Sequence, residues 1–136
     1  MAEKLCNLKM SGGVDLNGEL LWSNSNPSSS TYDGTQTVIT GAQVSEYRYF
    51  RVVYALSNTS LNVLSEMIIP KEPFEYALSS PTVWALPGMV VCIGPTYSRN
   101  FSIYQSNFRF NSEAYRLNNS EARGDLAMPI AVYGIK

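Results

Sequence analysis

"EYRYFRVVYAL", residues 46–56, is the stretch that decides the fold class of this 136-residue chain. In an extended strand successive side chains point to opposite faces. Phe50, Val52, Tyr54 and Leu56 therefore share one face, and Tyr49, Arg51, Val53 and Ala55 share the other. Both sets are mainly apolar. A strand with one wet face would alternate apolar with polar, so this segment reads as a central strand with a neighbour on each edge and cover on at least one face.

Short β-branched and aromatic runs between turn clusters recur in both directions from it. Downstream, Ser57-Asn58-Thr59-Ser60 reads as a turn that joins the segment to "LNVLSEMIIP" (61–70) in a hairpin. Pro70 ends that second strand because it has no N–H for the ladder. "TVWAL" passes through Pro87-Gly88 into "MVVCI", which stops at Gly94-Pro95. "FSIY" and "FRF" flank Gln105-Ser106-Asn107, which reads as a three-residue hairpin loop with Asn107 at positive φ. The last strand is "PIAVYGI", residues 129–135.

Upstream, "GELLWSN" reads as a strand, Asn24 to Ser30 as an exposed loop stiffened by Pro27, and "TQTVIT" resumes alternation with Val38 and Ile39. "SEAYRLNNSEARG" (112–124) carries an Asn-Asn-Ser run that favours a loop over a helix. No window of helical length keeps an apolar stripe. The pattern predicts an all-β domain, a β-sandwich or jelly roll of about eight to ten short antiparallel strands. Its expected core includes Phe50, Val52, Tyr54, Leu64, Ile68, Val90, Cys92, Ile130 and Val132.

Composition narrows the function classes. Charged residues make up only 15% of the chain and the net charge is −1, while 17 Ser and 11 Asn carry the polar role. A chain with no basic footprint cannot release counterions from a phosphate backbone, which argues against nucleic-acid binding. Weak charge and apolar strands on two faces lead to the expectation of a symmetric homo-oligomer, a trimer. No stretch has the ~18 apolar residues of a membrane span, so no membrane insertion is expected. "MAEKLCNLKM" lacks the apolar region of a signal peptide, which places synthesis in a cytoplasm. The Asn-x-Ser/Thr triplets at Asn58, Asn100 and Asn118 are then chance. Cys6 and Cys92 lie far apart among apolar residues and are expected to be buried, reduced thiols rather than a disulfide.

Histidine is absent, which removes Ser-His-Asp and Cys-His nucleophilic schemes and the commonest metal ligand together. Glu72 with Glu75, and Asp15 with Glu19, are the carboxylate pairs a glycosidase would need, but each reads better as surface charge flanking a strand. Neither "GPTYSRN" nor "GGVDLNG" has a phosphate-binding glycine pattern, and Lys71 lacks P-loop spacing, so no cofactor is expected. What remains is binding without chemistry. Nine Tyr among Asn and Ser suit hydrogen bonding to sugars or protein surfaces, although strands also favour Tyr for its shape. The candidate loops are Asn24 to Tyr32, Ser57 to Ser60 and Tyr97 to Asn100, with Asn24, Asn26, Tyr32, Asn58, Tyr97, Arg99 and Asn100 as ligand contacts. Trp22, at the head of the first loop, reads as a lid over the end of the sandwich, with an exposed ligand-stacking ring as the alternative.

The order of the segments resembles small structural proteins of tailed bacteriophages. The features that carry the likeness are "LWSNSNPSSS", then "TQTVIT", "EYRYFRVVY", "IIPK", "RNFSIYQSNFRF" and a terminal "MPIAVYGIK". Tail-tip and fibre-associated modules of this kind share a Leu-Trp-x-Asn-x-x-Pro opening, a middle Ile-Pro-Lys and a Tyr-Gly-Ile-Lys end. The likeness spans residues 18–136, and Ser25 departs from its compact Asn-Pro turn. Residues 1–17 precede it as an N-terminal strand or attachment arm. The resemblance implies a virion protein made in the host cytoplasm, contacting other virion proteins and a host cell-surface glycan as a tail-tip, baseplate or fibre-knob module. A capsid decoration or head-fibre protein is the alternative within the virion. A free carbohydrate-binding module is the alternative outside it, and a carboxylate glycosidase ranks last.

Overall fold

A computed structural model describes residues 18–34, 37–38, 41–80 and 82–136. Cys6, Asp15, Ile39 and the expected arm at 1–17 lie outside the described residues. The elements are β1 (Glu19–Ser23), β2 (Thr37–Val38), α1 (Gly41–Glu46), β3 (Tyr49–Ser57), β4 (Ser60–Pro70), α2 (Glu72–Ser79), β5 (Val83–Cys92), β6 (Thr96–Tyr104), β7 (Asn107–Phe110), β8 (Ala114–Arg116), β9 (Ala122–Arg123) and β10 (Leu126–Ile135).

They form an all-β sandwich of two antiparallel sheets. The first has the order β1-β10-β3-β4, so β3 is a central strand. In the second, β6 pairs with β5 along its whole length and with β7 and then β8 along its other edge. β2 pairs with β7, and β9 with β8. The inner faces meet in one core, where Phe50, Val52 and Tyr54 of β3 face Tyr97, Phe101 and Ile103 of β6 and Phe108 and Phe110 of β7.

Register explains which apolar residues go inside. Phe50 pairs with Ile69 and Val52 with Met67, which puts those two β4 residues on the inner face. Leu64 and Ile68 pair with Ala55 and Arg51 and so point outward, 59% and 51% exposed, against the expectation that they belong to the core. In β5 it is Val91 that is buried, and alternation turns Val90 and Cys92 out to solvent. Ile130 is only half-buried, because the β10–β3 register shifts between Pro129 and Ala131 and leaves it at the irregularity. Phe50, Val52, Tyr54 and Val132 are buried as expected.

Cys92 is thus an exposed free thiol at the end of an edge strand, not a buried one. A Cys6→Ser chain is expected to react with an aromatic disulfide reagent at Cys92 in minutes without denaturant. Labelling only after denaturation would place that side chain inside.

Two short helices also depart from the sequence reading. Pro73 opens α2, the position where its missing N–H is not needed, and Glu72 and Glu75 lie in the first turn beside the positive end of the helix. They are therefore on a helix rather than flanking a strand. Phe74 drops between the sheets, stacked on Phe50 at 4.1 Å and 6.5 Å from Phe101. The loop after β6 is a two-residue turn in which Gln105, not Asn107, takes positive φ, at 50°.

The terminal Tyr-Gly-Ile-Lys has a packing role. The Tyr47 ring lies flat against Gly134, where a β-carbon would stand 2.6 Å from it. The Tyr47 hydroxyl donates to Glu19 at 2.7 Å, and Lys136 pairs with the same carboxylate at 2.9 Å. These contacts tie β1 to the end of β10 and fix the strand that leads into the first loop.

Candidate functional site

β1 delivers Trp22 to one end of the sandwich. Its ring packs on Phe110 at 5.1 Å and meets the edge of Tyr32 at 6.1 Å. Between these aromatics the chain turns through a loop held by its own short polar side chains. Asn24 donates from its backbone N–H to Ile130 at 2.8 Å and from its side-chain amide to the Pro129 carbonyl at 2.9 Å. Its side-chain oxygen accepts from the Asn26 N–H at 2.9 Å, an Asx turn. The Asn26 carbonyl accepts from the Ser29 N–H, and the Ser29 hydroxyl accepts from the Thr31 N–H at 3.2 Å. Such a loop is largely organised before any ligand arrives.

The result is a hollow of about 380 Å³ lined by Trp22, Asn24, Asn26, Ser29, Thr31, Tyr32 and Asp33, with Ser23 and Ser25. A second hollow of about 320 Å³ meets it at Asp33 and continues past Arg109 to Tyr115. Burial and the neighbouring Asp33 carboxylate push the Tyr32 phenol up to about 12, with Arg99 opposing. Tyr32 is therefore a hydrogen-bond donor throughout the neutral range. An indole face, a phenol, amides and hydroxyls around a shallow recess suit the alternating C–H and O–H surfaces of a sugar. Asp33 is the one carboxylate among the lining residues, whereas glycoside hydrolysis calls for a flanking pair.

No protein-family model, curated protein or solved structure matches the chain.

Of the seven sequence-predicted contacts, the fold brings four to this end of the molecule. Asn24, Asn26 and Tyr32 line the hollow. Asn58, in the β3–β4 turn, donates its side-chain amide to the Ser28 carbonyl at 3.2 Å and its N–H to Asp125 at 2.9 Å, buttressing the loop from behind.

The other three do not form an exposed loop. Tyr97, Arg99 and Asn100 lie within β6, which begins directly after Gly94-Pro95. Tyr97 and Arg99 point inward and are buried, and Asn100 is partly covered on the opposite face. The Tyr97 hydroxyl donates to Glu121 at 2.8 Å. Arg99 donates to three backbone carbonyls: Nη1 to Asn111 at 2.7 Å, Nη2 to Gly124 at 2.8 Å, and Nη2 with Nε to Leu126 at 2.9 and 3.3 Å. Its guanidinium lies 5.9 Å from the Tyr32 ring, so it supports a lining residue from beneath instead of touching a ligand. Sequence reading missed Asp33, one residue past the loop it selected. The signal that marks the site is Trp22 and Tyr32 bracketing a run of Asn and Ser.

Proposed function

We propose that the chain is a non-enzymatic structural protein of a bacteriophage virion, a tail-tip, baseplate or fibre-knob module that holds a host-surface glycan in the hollow between Trp22 and Asp33. The observation that carries the binding part is the ring pair Trp22 and Tyr32 standing over a pre-organised set of amides and hydroxyls. The virion part follows the segment order that resembles tail-associated proteins. A shallow polar recess of this size gives one copy an affinity near the millimolar end of the scale, about −4 kcal/mol. Adhesion then comes from several copies displayed on one particle, where linked binding raises avidity by about 10²–10⁴.

The test is multivalent display on beads with retention measured on host cells and on purified cell-wall polysaccharide. Tyr32→Phe removes one hydroxyl and keeps the ring; Asn26→Ala removes one exposed amide. Each should lower single-site affinity about tenfold, the worth of one hydrogen bond to a ligand, and abolish retention of a low-copy bead. Asn100→Ala, on the outer face of the other sheet, should retain fully. Equal retention of all four proteins would remove the hollow from the site, and release of reducing sugar would defeat the non-enzymatic reading. Mass spectrometry of purified particles separates the virion assignment from a free carbohydrate-binding module.

A further inference from the structure

Three hollows follow one another across this side of the molecule, each meeting the next at a charged residue. The first, of about 380 Å³ between Trp22 and Asp33, meets the second, of about 320 Å³, at Asp33. The second meets a third, of about 220 Å³ among Ser102, Tyr104 and Asn107, at Arg109, which lines both. Alternation along β7 sends Phe108 and Phe110 into the core and turns Arg109 out, opposite Ser102 of β6. Where the first two hollows join, Gly34 has a φ of 72°, and a β-carbon there would stand 3.2 Å from Ser112 in the wall of the second. Both facts disfavour a side chain at that point. Each hollow also has an aromatic in its wall: Trp22 with Tyr32, then Tyr115, then Tyr104. Tyr115 is 45% and Tyr104 36% exposed, so each leaves ring surface for a sugar to cover.

Arg109 is set apart from most other arginines by its lack of a partner. Arg51, Arg116 and Arg123 pair with Glu66, Glu121 and Asp125, and Arg99 holds backbone carbonyls. Among the described residues the Arg48 and Arg109 side chains have no hydrogen-bond or ion-pair partner, and of these two Arg109 stands in the groove. A guanidinium with its donors unused, placed where two polar hollows meet, fits a carboxylate or a phosphate through its planar fork. The Asp33 carboxylate repels an anion in the first hollow and accepts from hydroxyls instead.

We propose, on the reading of the first hollow as a glycan site, that the three hollows form one groove for successive units of a linear acidic polysaccharide, with a neutral sugar between Trp22 and Asp33 and an anionic unit beside Arg109. The groove then selects on charge and on chain length, neither of which the first hollow alone would do.

The bead assay tests this with the cell-wall polysaccharide in three forms: native, with its carboxyl groups reduced to alcohols, and with its phosphate groups removed. The native form should retain the wild type. At least one treated form should not, and which one it is names the anion. Arg109→Gln, at an exposed position without an internal partner, should lower affinity for the native polymer about tenfold, the worth of one charge-assisted hydrogen bond. Arg109→Lys should recover part of the loss. Raising salt from about 0.05 to 0.5 M should weaken the wild type and leave what remains in Arg109→Gln unchanged. Arg48→Gln makes the same change of net charge beside Ile135, at the opposite end of the sandwich from Asn24, and should be retained like the wild type. Long soluble fragments should compete about tenfold better than disaccharides cut from the same polymer. Equal retention on all three forms, full retention of Arg109→Gln, an equal loss in Arg48→Gln, or disaccharides competing as well as long fragments would each overturn the acidic groove while leaving the first hollow a glycan site. Failure of the native polymer to retain the wild type would remove both.

Discussion

Arg99→Met is expected to destabilise the protein by about 3–5 kcal/mol, the range seen when one partner of a buried charged network is removed. The side chain has no solvent exposure, and its guanidinium ties together the carbonyls of Asn111, Gly124 and Leu126. Met fills the space of the aliphatic stem but donates nothing, so three carbonyls lose their partner, at about 1–3 kcal/mol for each that water cannot reach. Loss of hydration brings the Arg99 pKa down to about 10, while Tyr54, Tyr32, Glu113 and Asp125 push it back up. The group is still a full cation at neutral pH, so the network is intact under ordinary assay conditions. Arg99→Lys should recover only a minor part, since an ammonium cannot span three carbonyls in the fork geometry of a guanidinium. Urea titration and a thermal melt read the effect, with a fall in Tm of roughly 10–15 °C for a domain of this size. A loss below about 1 kcal/mol, the worth of a single ordinary hydrogen bond, would mean that the carbonyls are satisfied without it.

Arg99 also marks the limit of what the sequence discloses. In "GPTYSRN" a polar run after a turn dipeptide reads as a surface loop, because nothing local reveals that Tyr97 and Arg99 alternate inward. The partners that justify burying a charge there are backbone carbonyls just past β7, just before β10 and at the first residue of β10, which no local pattern encodes. The central strand was legible for the opposite reason: with both faces of residues 49–55 apolar, every arrangement that buries them puts neighbours on both sides. That property misleads at the edges. β4 and β5 are apolar on both faces too, so periodicity cannot say which face is inner, and the choice falls to pairing with β3 and β6. α2 escaped notice because eight residues with only Phe74 and Ala77 buried give too short a stripe. The site was legible in its loop, where Pro and Asn dictate an irregular backbone. The residue that supports it from the core, Phe110, lies 88 positions downstream of Trp22, and no local pattern connects the two.

Phe110 is where core and site share a side chain. Its ring contacts Tyr54 at 5.2 Å and Phe101 at 5.1 Å on the core side, and Trp22 at 5.1 Å and Tyr32 at 6.3 Å on the side of the hollow. Phe110→Ala should therefore cost about 3–5 kcal/mol through lost transfer free energy and the cavity left behind. That variant alone cannot separate a damaged fold from a damaged site. Phe110→Leu can, because it keeps most of the apolar volume and should cost only about 1–2 kcal/mol, leaving the sandwich folded. Leu offers no flat face for Trp22 and no T-shaped partner for Tyr32, so the two rings lose their fixed spacing and the ligand must meet the cost of ordering them. Bead retention of Phe110→Leu on cell-wall polysaccharide should fall about as far as that of Tyr32→Phe, although its unfolding transition stays cooperative. The control is Phe108→Leu, a neighbouring core substitution without contact to either ring of the hollow, which should lose similar stability and keep its retention. Full retention by Phe110→Leu would show that the rings hold their places without a floor, and an equal loss in Phe108→Leu would trace the effect to stability alone.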